Sequence, residues 1–341
     1  MPSLLAVGDP LIALTPKLPV TIESAHELTV HTGGAEVNTA IGVSRLGVAA
    51  AWLGRVGDDP LGRRLLRTLQ DEGVDTSLAI VDPGAPTGLY LREWLPDGIR
   101  RPYYYRHGGA GTRLTSTDWP SPWPRLVPVP DILHVTGITT ALSNSARGAV
   151  NTMIDRAKRL GCLVSVDPNY RAALWPDPVA ARVALLDLTS RADLILLSEE
   201  DAYLLFETAD PELVLDALRQ FGPRYVVFKR GSRGAIAWTE EEQVEVGGEQ
   251  VSASVDPVGA GDGFNAGFLA ATMLRVGLGD AVRCGAWCGA RAVERVGENS
   301  GYPKITQLPH NMRQVMENAA ERYGQHAPAE PARASSQLAG S

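Results

Sequence analysis

The groups best suited to chemistry lie in one glycine-rich segment, residues 256–264, which reads Asp-Pro-Val-Gly-Ala-Gly-Asp-Gly-Phe. A tight Gly259-Ala260-Gly261 turn leads into residues with small side chains, and this pattern predicts the start of a helix. The N–H groups of a helix's first turn point outward without partners, and the helix dipole adds about half a positive charge there. The segment therefore predicts an anion site suited to phosphate.

Asp262, the second of the two aspartates in this segment, has two interpretations. Aspartate is favoured as the residue that caps the start of a helix. Beside a phosphate site, a carboxylate can instead accept the proton of an attacking hydroxyl, which is the general-base role in phosphoryl transfer. The spacing alone leaves both interpretations open.

Two other nucleotide-binding motifs are missing from the sequence. There is no Gly-Lys dipeptide, which excludes a Walker-type P-loop. Gly8-Asp9-Pro10, after the first apolar run, does not fit the GxGxxG fingerprint, which disfavours a Rossmann dehydrogenase. Residues 231–234, Gly-Ser-Arg-Gly, are typical of a tight turn and by themselves predict only a hairpin into the apolar residues 235–238.

The charge balance limits what the protein can bind. There are 32 Lys and Arg against 39 Asp and Glu, and the net charge of −7 argues against a general nucleic-acid or anionic-membrane surface. The lysines are Lys17, Lys158, Lys229 and Lys304, so anion recognition is expected to use arginines and backbone amides. We therefore expect neither a nucleic-acid nor a membrane partner.

Cysteine content and hydropathy bear on the compartment. The cysteines, Cys162, Cys284 and Cys288, are too few for a disulfide framework in 341 residues, which predicts a reducing environment. No apolar run approaches the ~20 residues that span a bilayer, and the first eight residues resemble a strand more than a signal peptide. Together these features predict a cytoplasmic protein.

The elements that must position the glycine-rich segment follow an alternating pattern. With 44% apolar and 21% charged residues, the 341-residue chain fits two domains or one large α/β domain with an insertion. Apolar, β-branched runs occur at residues 4–7, 50–56, 132–135, 163–166, 194–197 and 225–228. Helical patterns occur at residues 61–72, 146–160, 179–189, 211–221 and 263–276. This alternation predicts a parallel sheet covered by helices on both faces.

Two stretches break the alternation. Residues 11–31 read as a pair of strands, and residues 87–105 read as another pair folded about Leu-Pro-Asp-Gly-Ile at 95–99. We interpret them as one small sheet that projects from the main domain, and its exposed face or edge predicts a homo-oligomer. From residue 324 onward the chain has no apolar period, which predicts a disordered tail, 324–341.

Two ordered signatures resemble those of the PfkB (ribokinase-type) carbohydrate kinases. The N-terminal one comprises Gly-Gly-Ala-Glu-Val-Asn-Thr-Ala at 33–40, Leu-Gly at 46–47, Gly-Arg-Val-Gly-Asp-Asp-Pro-Leu-Gly at 54–62 and Glu-Gly-Val-Asp-Thr at 72–76. Residues 259–262 are similar to the end of the family's C-terminal signature, usually Asp-Thr-x-Gly-Ala-Gly-Asp. The resemblance covers roughly residues 3–310.

This resemblance implies the fold and the reaction. The expected fold is a ribokinase-like αβα sandwich, an α/β domain over residues 1–323 with a mostly parallel, Rossmann-like sheet. A small β-sheet lid, with strands at roughly 10–34 and 86–112, is expected to cover the sugar. The expected reaction is ATP-dependent phosphorylation with Mg²⁺, in which Asp262 is the base and Gly259, Ala260 and Gly261 form the anion hole.

Within the family, the lid sequence Arg-Pro-Tyr-Tyr-Tyr-Arg at 101–106 and Asp-Pro-Asn-Tyr-Arg at 167–171 resemble the 2-keto-3-deoxygluconate kinases. Alternate side chains of a strand share a face, so Tyr104 and Arg106 are expected to point together, with Tyr90 opposite on the neighbouring strand. Arg106 and Arg171 with tyrosyl hydroxyls suit a sugar acid, which carries a carboxylate and several hydroxyls. The expected product is a 6-phosphate.

The resemblance also implies the remaining site residues. The sugar-binding set is Asp9, Gly33, Gly34, Asn38, Tyr90, Tyr104, Arg106 and Arg171. The ATP-binding set is Asp167, Asn169, Ser198, Lys229, Gly231, Gly234, Gly259, Gly261 and Asn299, with Asn299 near the adenine. Asp201 is assigned to the magnesium shell. Asp256, with the loop 297–301, is assigned to a monovalent-cation (K⁺) site that some members use.

The sequence departs from the family pattern at two places. Pro257 replaces the usual Thr and removes one N–H, so the anion hole must use later amides. Ser-Glu-Glu-Asp at 198–201 stands where many relatives have Asn-x-x-Glu, a motif that helps to hold magnesium and phosphate. The alternatives are a family member acting on fructose, ribose or a nucleoside, and a non-catalytic sugar-binding relative. The intact Gly-Ala-Gly-Asp argues against the second.

Overall fold

The computed structural model describes residues 3–95, 100–123 and 129–326. The strands over these ranges are β1 Ser3–Val7, β2 Leu11–Pro16, β3 Leu28–Gly33, β4 Ala49–Leu53, β5 Arg55–Gly57, β6 Ile80–Asp82, β7 Leu89–Trp94, β8 Arg100–Tyr105, β9 Ile132–Thr136, β10 Leu163–Asp167, β11 Leu194–Ser198, β12 Tyr225–Lys229, β13 Ala235–Trp238 and β14 Gln243–Val246. The α-helices are α1 Ala35–Arg45, α2 Pro60–Asp71, α3 Gly137–Leu142, α4 Asn144–Arg159, α5 Pro178–Thr189, α6 Glu199–Phe206, α7 Pro211–Arg219, α8 Ala260–Met273, α9 Leu278–Ala292 and α10 His310–His326. Short 3₁₀ helices lie at Ile22–Ser24, Ala110–Arg113, Ser116–Asp118, Ala172–Leu174, Gly231–Arg233 and Ile305–Gln307.

The central sheet has eight strands in the order β14-β13-β12-β11-β10-β9-β1-β4. From β4 to β12 neighbouring strands run parallel, and β12, β13 and β14 pair antiparallel. The 231–234 turn joins β12 to β13, so the predicted hairpin is confirmed.

Both faces of this sheet are buried. Because side chains alternate along a strand, Leu4 and Ala6 of β1 pack into one apolar cluster, while Leu5 and Val7 pack into another. Helices α1, α2, α8, α9 and α10 contribute to the first cluster, and α4–α7 contribute to the second. The predicted αβα sandwich with a mostly parallel sheet is confirmed.

The predicted lid is a separate four-stranded sheet in the order β3-β2-β7-β8. Strand β7 pairs antiparallel with β8, and Tyr90 lies directly opposite Tyr104, as predicted from the hairpin. Residues 96–99 of the predicted turn lie outside the described residues. Tyr103 and Tyr105 on the other face are 40% and 61% exposed. The homo-oligomer that this face suggested stays a prediction.

Two boundaries differ from the sequence-based expectation. The run 50–56 is not one strand: β4 joins the central sheet, and β5 pairs with β6 in a sheet of two strands. The break falls at Gly54, where a Cβ would come 2.2 Å from the Trp52 ring and 2.4 Å from the Gly8 carbonyl oxygen, so only glycine permits the turn. Helix α10 continues to His326, past the expected start of the tail at 324, and residues 327–341 lie outside the described residues.

Across the described ranges, none of the helices has both the length and the apolar character that a membrane crossing requires.

Candidate active site

A cavity of about 510 Å³ lies between the lid and the carboxyl ends of the central parallel strands. Ligands of open α/β sheets bind in the crevice at this edge. The cavity is lined by many of the predicted site residues: Asp9, Gly34, Tyr90, Tyr104, Arg106, Asp167, Asn169, Arg171, Ser198, Asp201, Lys229, Gly231, Gly259, Gly261 and Asp262. The structure thus brings together residues from Asp9 to Asp262, which lie 253 positions apart in the chain.

The glycine-rich segment forms the N-terminus of α8 at the floor of this cavity. Gly259 is the N-cap residue, with φ of +83°, and Asp262 is the third residue of the helix. The capping interpretation of Asp262 is therefore wrong, because the cap position belongs to Gly259. Gly259 cannot be replaced without strain, since a Cβ there would come 1.9 Å from the Glu298 carbonyl oxygen.

The carboxylate of Asp262 is held by Asn38, which lies in the first turns of α1. Asn38 Nδ2 donates to Asp262 Oδ2 over 2.8 Å. Burial raises the pKa of Asp262 from 3.8 to about 7; the Asn38 hydrogen bond and the nearby Arg171 charge lower it, and the negative charges of Asp167 and Glu298 raise it. A carboxyl group with a pKa near the operating pH is suited to exchange protons with a substrate.

Lys229, at the end of β12, brings a positive charge to the same helix terminus. Its Nζ lies 2.8 Å from Asp167 Oδ2 and 3.1 Å from Asn265 Oδ1. A Cβ on Gly261 would lie 3.8 Å from this ammonium group, so the lysine lies beside the first turn of α8. An anion between them would meet both the helix dipole and a fixed positive charge.

The lid places aromatic and basic groups over the cavity. The rings of Tyr90 and Tyr104 lie with their centroids 5.4 Å apart and their planes tilted by 39°, and the Arg106 guanidinium lies 5.7 Å from the centre of the Tyr104 ring. Arg106 is buried and forms an ion pair with Asp9, which follows β1. Burial raises the pKa of Asp9, whereas the Arg106 charge lowers it. The lid therefore offers a cation, a carboxylate and a hydroxyl-bearing aromatic surface.

A family model described as pfkB family carbohydrate kinase matches residues 1–305. The chain belongs to the pfkB family of carbohydrate kinases. It is 36% identical over 306 residues to a 2-dehydro-3-deoxygluconokinase of Thermoproteus tenax, an alignment that covers 89% of this chain and 92% of the relative. It is 34% identical over 287 residues to the Bacillus subtilis protein of the same name, with 83% of this chain and 88% of that one covered. The chain is thus a phosphotransferase of this family, as the two signatures indicated.

Solved structures agree with this assignment. The fructokinase of Vibrio cholerae in its fructose-, ADP- and calcium-bound form superposes with a TM-score of 0.79 at 30% identity, covering 89% of this chain and 96% of that one. A nucleotide and a divalent cation therefore accompany this fold in a related kinase.

Glu298 is a central residue of the kinase site that the sequence reasoning did not single out. Its carboxylate accepts hydrogen bonds from Gly34 N over 3.2 Å, from Asn38 Nδ2 over 2.7 Å and from the Tyr90 hydroxyl. The side chain is 6% exposed and lines the cavity. It connects the lid to the start of α1. The assignment of the loop 297–301, which contains Glu298, to a cation site came nearest to predicting this residue.

Several predicted residues of the kinase do not line the cavity: Gly33, Asn38, Gly234, Asp256, Ala260 and Asn299. Asn299 Nδ2 donates to Asn38 Oδ1 over 2.9 Å and to the Thr32 carbonyl over 3.0 Å. Its side chain is therefore hydrogen-bonded to Asn38, which the resemblance assigned to the sugar, and its place near the adenine stays a prediction. Gly33 packs against the Glu298 carboxylate, and Gly234, at φ +85°, packs against the Val246 carbonyl.

The carboxylates assigned to metals are already hydrogen-bonded within the chain. Asp201 forms a capping box at the start of α6, where its oxygens accept from Tyr170 N, Ser198 N and Ser198 Oγ over 2.8, 2.8 and 2.6 Å. Among the described residues no group of three or more His, Cys, Asp or Glu has a metal-binding arrangement. Magnesium in kinases is held through one or two carboxylates together with phosphates and water. Glu200 and Asp201 line the cavity and would supply the carboxylates. The donor set therefore fits a magnesium ion that arrives with its nucleotide.

Proposed function

We propose that this kinase transfers the γ-phosphoryl group of ATP to 2-keto-3-deoxygluconate and forms its 6-phosphate. The observation that carries the proposal is the placement of Asp262 and the α8 N-terminus opposite a lid face that presents Arg106, Tyr90 and Tyr104. Relatives named 2-dehydro-3-deoxygluconokinase in two organisms support the same substrate.

The basic residues support an acidic sugar. Arg106 pairs with Asp9 through one terminal nitrogen, and its buried Nε has no partner among the residues that the structure describes. Arg171 lines the same cavity, and its charge acts on Asp262. A guanidinium group carries five N–H donors, so Arg106 can bind Asp9 and a substrate carboxylate together.

The reaction needs a proton acceptor and a site for the transferred phosphoryl group. The 6-hydroxyl oxygen attacks the γ-phosphorus, its proton passes to the Asp262 carboxylate, and the bond from phosphorus to the bridging oxygen breaks to release ADP. First-turn amides of α8 and Lys229 stabilise the charge on the transferred group, and each well-placed donor contributes about 3–4 kcal/mol. Mg²⁺ supplies further neutralisation of the phosphate oxygens. The lid excludes water that would otherwise hydrolyse ATP.

A kinase of neutral sugars is the second candidate. The Arg106–Asp9 ion pair favours it, because Asp9 neutralises the charge that would attract a substrate carboxylate. The similarity to a fructose-bound fructokinase supports it as well. The two candidates share the phosphoryl-transfer machinery and differ only in the acceptor.

An ADP-release screen tests the acceptor. The enzyme is incubated with MgATP and each of 2-keto-3-deoxygluconate, gluconate, fructose, ribose and a nucleoside, and ADP is separated by chromatography. We expect kcat/KM for 2-keto-3-deoxygluconate to exceed that for fructose by about 100-fold, since a charged hydrogen-bonded pair contributes about 1.5–3 kcal/mol. A preference for fructose or ribose would overturn the sugar-acid proposal and leave the kinase assignment intact.

The pKa of Asp262 predicts a pH profile. The base must be ionised, and its pKa in the free enzyme is about 7, so kcat/KM should fall tenfold per unit as the pH drops below that value. Because the Asn38 hydrogen bond lowers this pKa, Asn38→Ala should move the acidic limb to higher pH. Initial rates between about pH 5.5 and 9 measure both. An acidic limb that is unchanged in Asn38→Ala would contradict the assignment.

A further inference from the structure

A buried ion pair joins the lid to the segment that precedes the anion turn. Arg92 of β7 is 1% exposed, and Asp256 is 0% exposed. Arg92 Nη2 donates to Asp256 Oδ2 over 2.6 Å, and Nη1 donates to Oδ1 over 3.3 Å. This two-pronged pairing is the geometry in which a guanidinium binds a carboxylate most strongly.

Two backbone amides complete the environment of the Asp256 carboxylate. Val258 N donates to Oδ1 over 3.3 Å, and Gly297 N donates to Oδ2 over 3.0 Å. A carboxylate has about four acceptor sites, and four N–H donors of the described residues are directed at them, two at each oxygen. A cation at Asp256 would therefore have to compete with these donors.

The resemblance assigned a monovalent cation to Asp256 and the loop 297–301, and the residues present do not fit that ion. The guanidinium already balances the buried negative charge. A second cation beside it would be repelled at short range and would lose its hydration, which is costly in a buried site. The residues around Asp256 therefore do not suit the monovalent cation that some members of the family use.

The pair also fixes the geometry of the floor of the active site. Asp256 begins the turn that ends at Gly259, and its bond to Gly297 holds the loop that continues into Glu298. Two residues before Arg92 on the same strand face, Tyr90 binds Glu298. Tyr90 and Arg92, neighbours on one face of β7, thus bind the two loops beside the start of α8, one through Glu298 and the other through Asp256.

We propose that Arg92 takes the place of the monovalent cation: its guanidinium positions Asp256 and the anion turn, and phosphoryl transfer does not depend on K⁺. Arg92 is a positioning residue, since it acts through Asp256. The kinetic part of the test rests on the proposed function, because it needs a phosphoryl acceptor. The melting measurement below needs none.

The first experiment uses the wild-type protein. Tris-neutralised ATP, magnesium chloride and 2-keto-3-deoxygluconate are combined in about 100 mM tetramethylammonium, sodium or potassium chloride, so that ionic strength is matched. ADP is measured by chromatography, because a coupling enzyme could have its own K⁺ requirement. We expect rates within about twofold of one another and no K⁺-specific rise in melting temperature.

The outcomes of this experiment are separable. Activation of about tenfold or more by K⁺, or a saturable rise in melting temperature with K⁺, overturns the proposal. Absence of activity in every salt contradicts the proposed substrate, and the melting measurement then decides the cation question by itself.

The second experiment removes the guanidinium. We expect Arg92→Ala to lose about 100-fold in kcat in tetramethylammonium chloride, because it leaves a buried carboxylate without its counter-charge. Millimolar guanidinium or K⁺ should restore about tenfold or more of this loss, a rescue that a merely structural role would not give. Arg219→Ala is the control, since Arg219 lies on α7, pairs with Asp216 of the same helix and has a side chain that is 64% exposed.

Either of two results for Arg92→Ala overturns the proposal. One is full activity in tetramethylammonium chloride. The other is a folded variant, with an unchanged circular dichroism spectrum, that neither cation rescues. If Arg92→Ala does not fold, the salt series on the wild-type protein remains decisive.

Discussion

Asp262→Asn is expected to lower kcat for sugar phosphorylation by about a thousandfold, within the ~10²–10⁴ range that a positioned general base contributes. Asparagine keeps the shape of the side chain and an oxygen that can accept from Asn38 Nδ2, so the geometry at the start of α8 is retained. It cannot accept the proton of the attacking hydroxyl. Single-turnover and steady-state ADP release measure the loss, and calorimetry with a non-hydrolysable ATP analogue should show affinity near that of the wild type.

A matched control exists in the next helix. Asp280 is the third residue of α9, as Asp262 is of α8, and its side chain is 43% exposed beside Arg283. Asp280→Asn should leave kcat unchanged. Turnover of Asp262→Asn within about tenfold of the wild type would contradict the base assignment.

The same substitution has a stability signature of predictable sign. Because burial raises the pKa of Asp262 from 3.8 to about 7, the folded protein retains a proton between these values that the unfolded chain has released. The stability that this proton provides is complete below about pH 3.8 and is lost as the pH rises through about 7. Asparagine does not ionise, so Asp262→Asn should melt at a higher temperature than the wild type at pH 8, although it is less active.

The features that the sequence predicted correctly depend on local patterns. The hairpin predicted about residues 95–99 placed Tyr90 opposite Tyr104, because the position of a turn sets which residues of its two strands face each other. The tight Gly-Ala-Gly turn predicted the start of α8, and Gly259 adopts there a φ of +83°, which glycine reaches without steric cost. The alternation of apolar runs and helical patterns predicted the sandwich because strands that alternate with helices form a parallel sheet covered on both faces.

The features that the sequence did not predict depend on pairing over long separations. Glu298 binds Gly34, 264 residues earlier, and Arg92 binds Asp256, 164 residues later. Neither residue belongs to a periodic pattern, and a charged residue in a strand or loop is usually solvated. Their burial follows from the way the lid closes on the α8 terminus, which no local pattern encodes.

Arg106→Met is expected to lower kcat/KM for 2-keto-3-deoxygluconate by about 100-fold or more. Removing one partner of a buried ion pair lowers the free energy of unfolding by about 3–5 kcal/mol, because the other charge is left uncompensated. Here that charge is Asp9, which is 3% exposed and lines the cavity. Its pKa is already raised by burial and is lowered by Arg106, so in the variant Asp9 should take up a proton more readily and lose affinity for the sugar.

The ratio between substrates separates charge recognition from this indirect effect. Loss of the Asp9 partner affects every sugar, whereas loss of the guanidinium affects only an acceptor with a carboxylate. The preference for 2-keto-3-deoxygluconate over fructose should therefore fall by about tenfold or more, the share of one charged hydrogen bond. Arg113→Met is the control, because Arg113 pairs loosely with Asp82 over 3.8 Å, with its side chain 49% exposed. An unchanged ratio in Arg106→Met would contradict the role of Arg106 in recognising the substrate carboxylate.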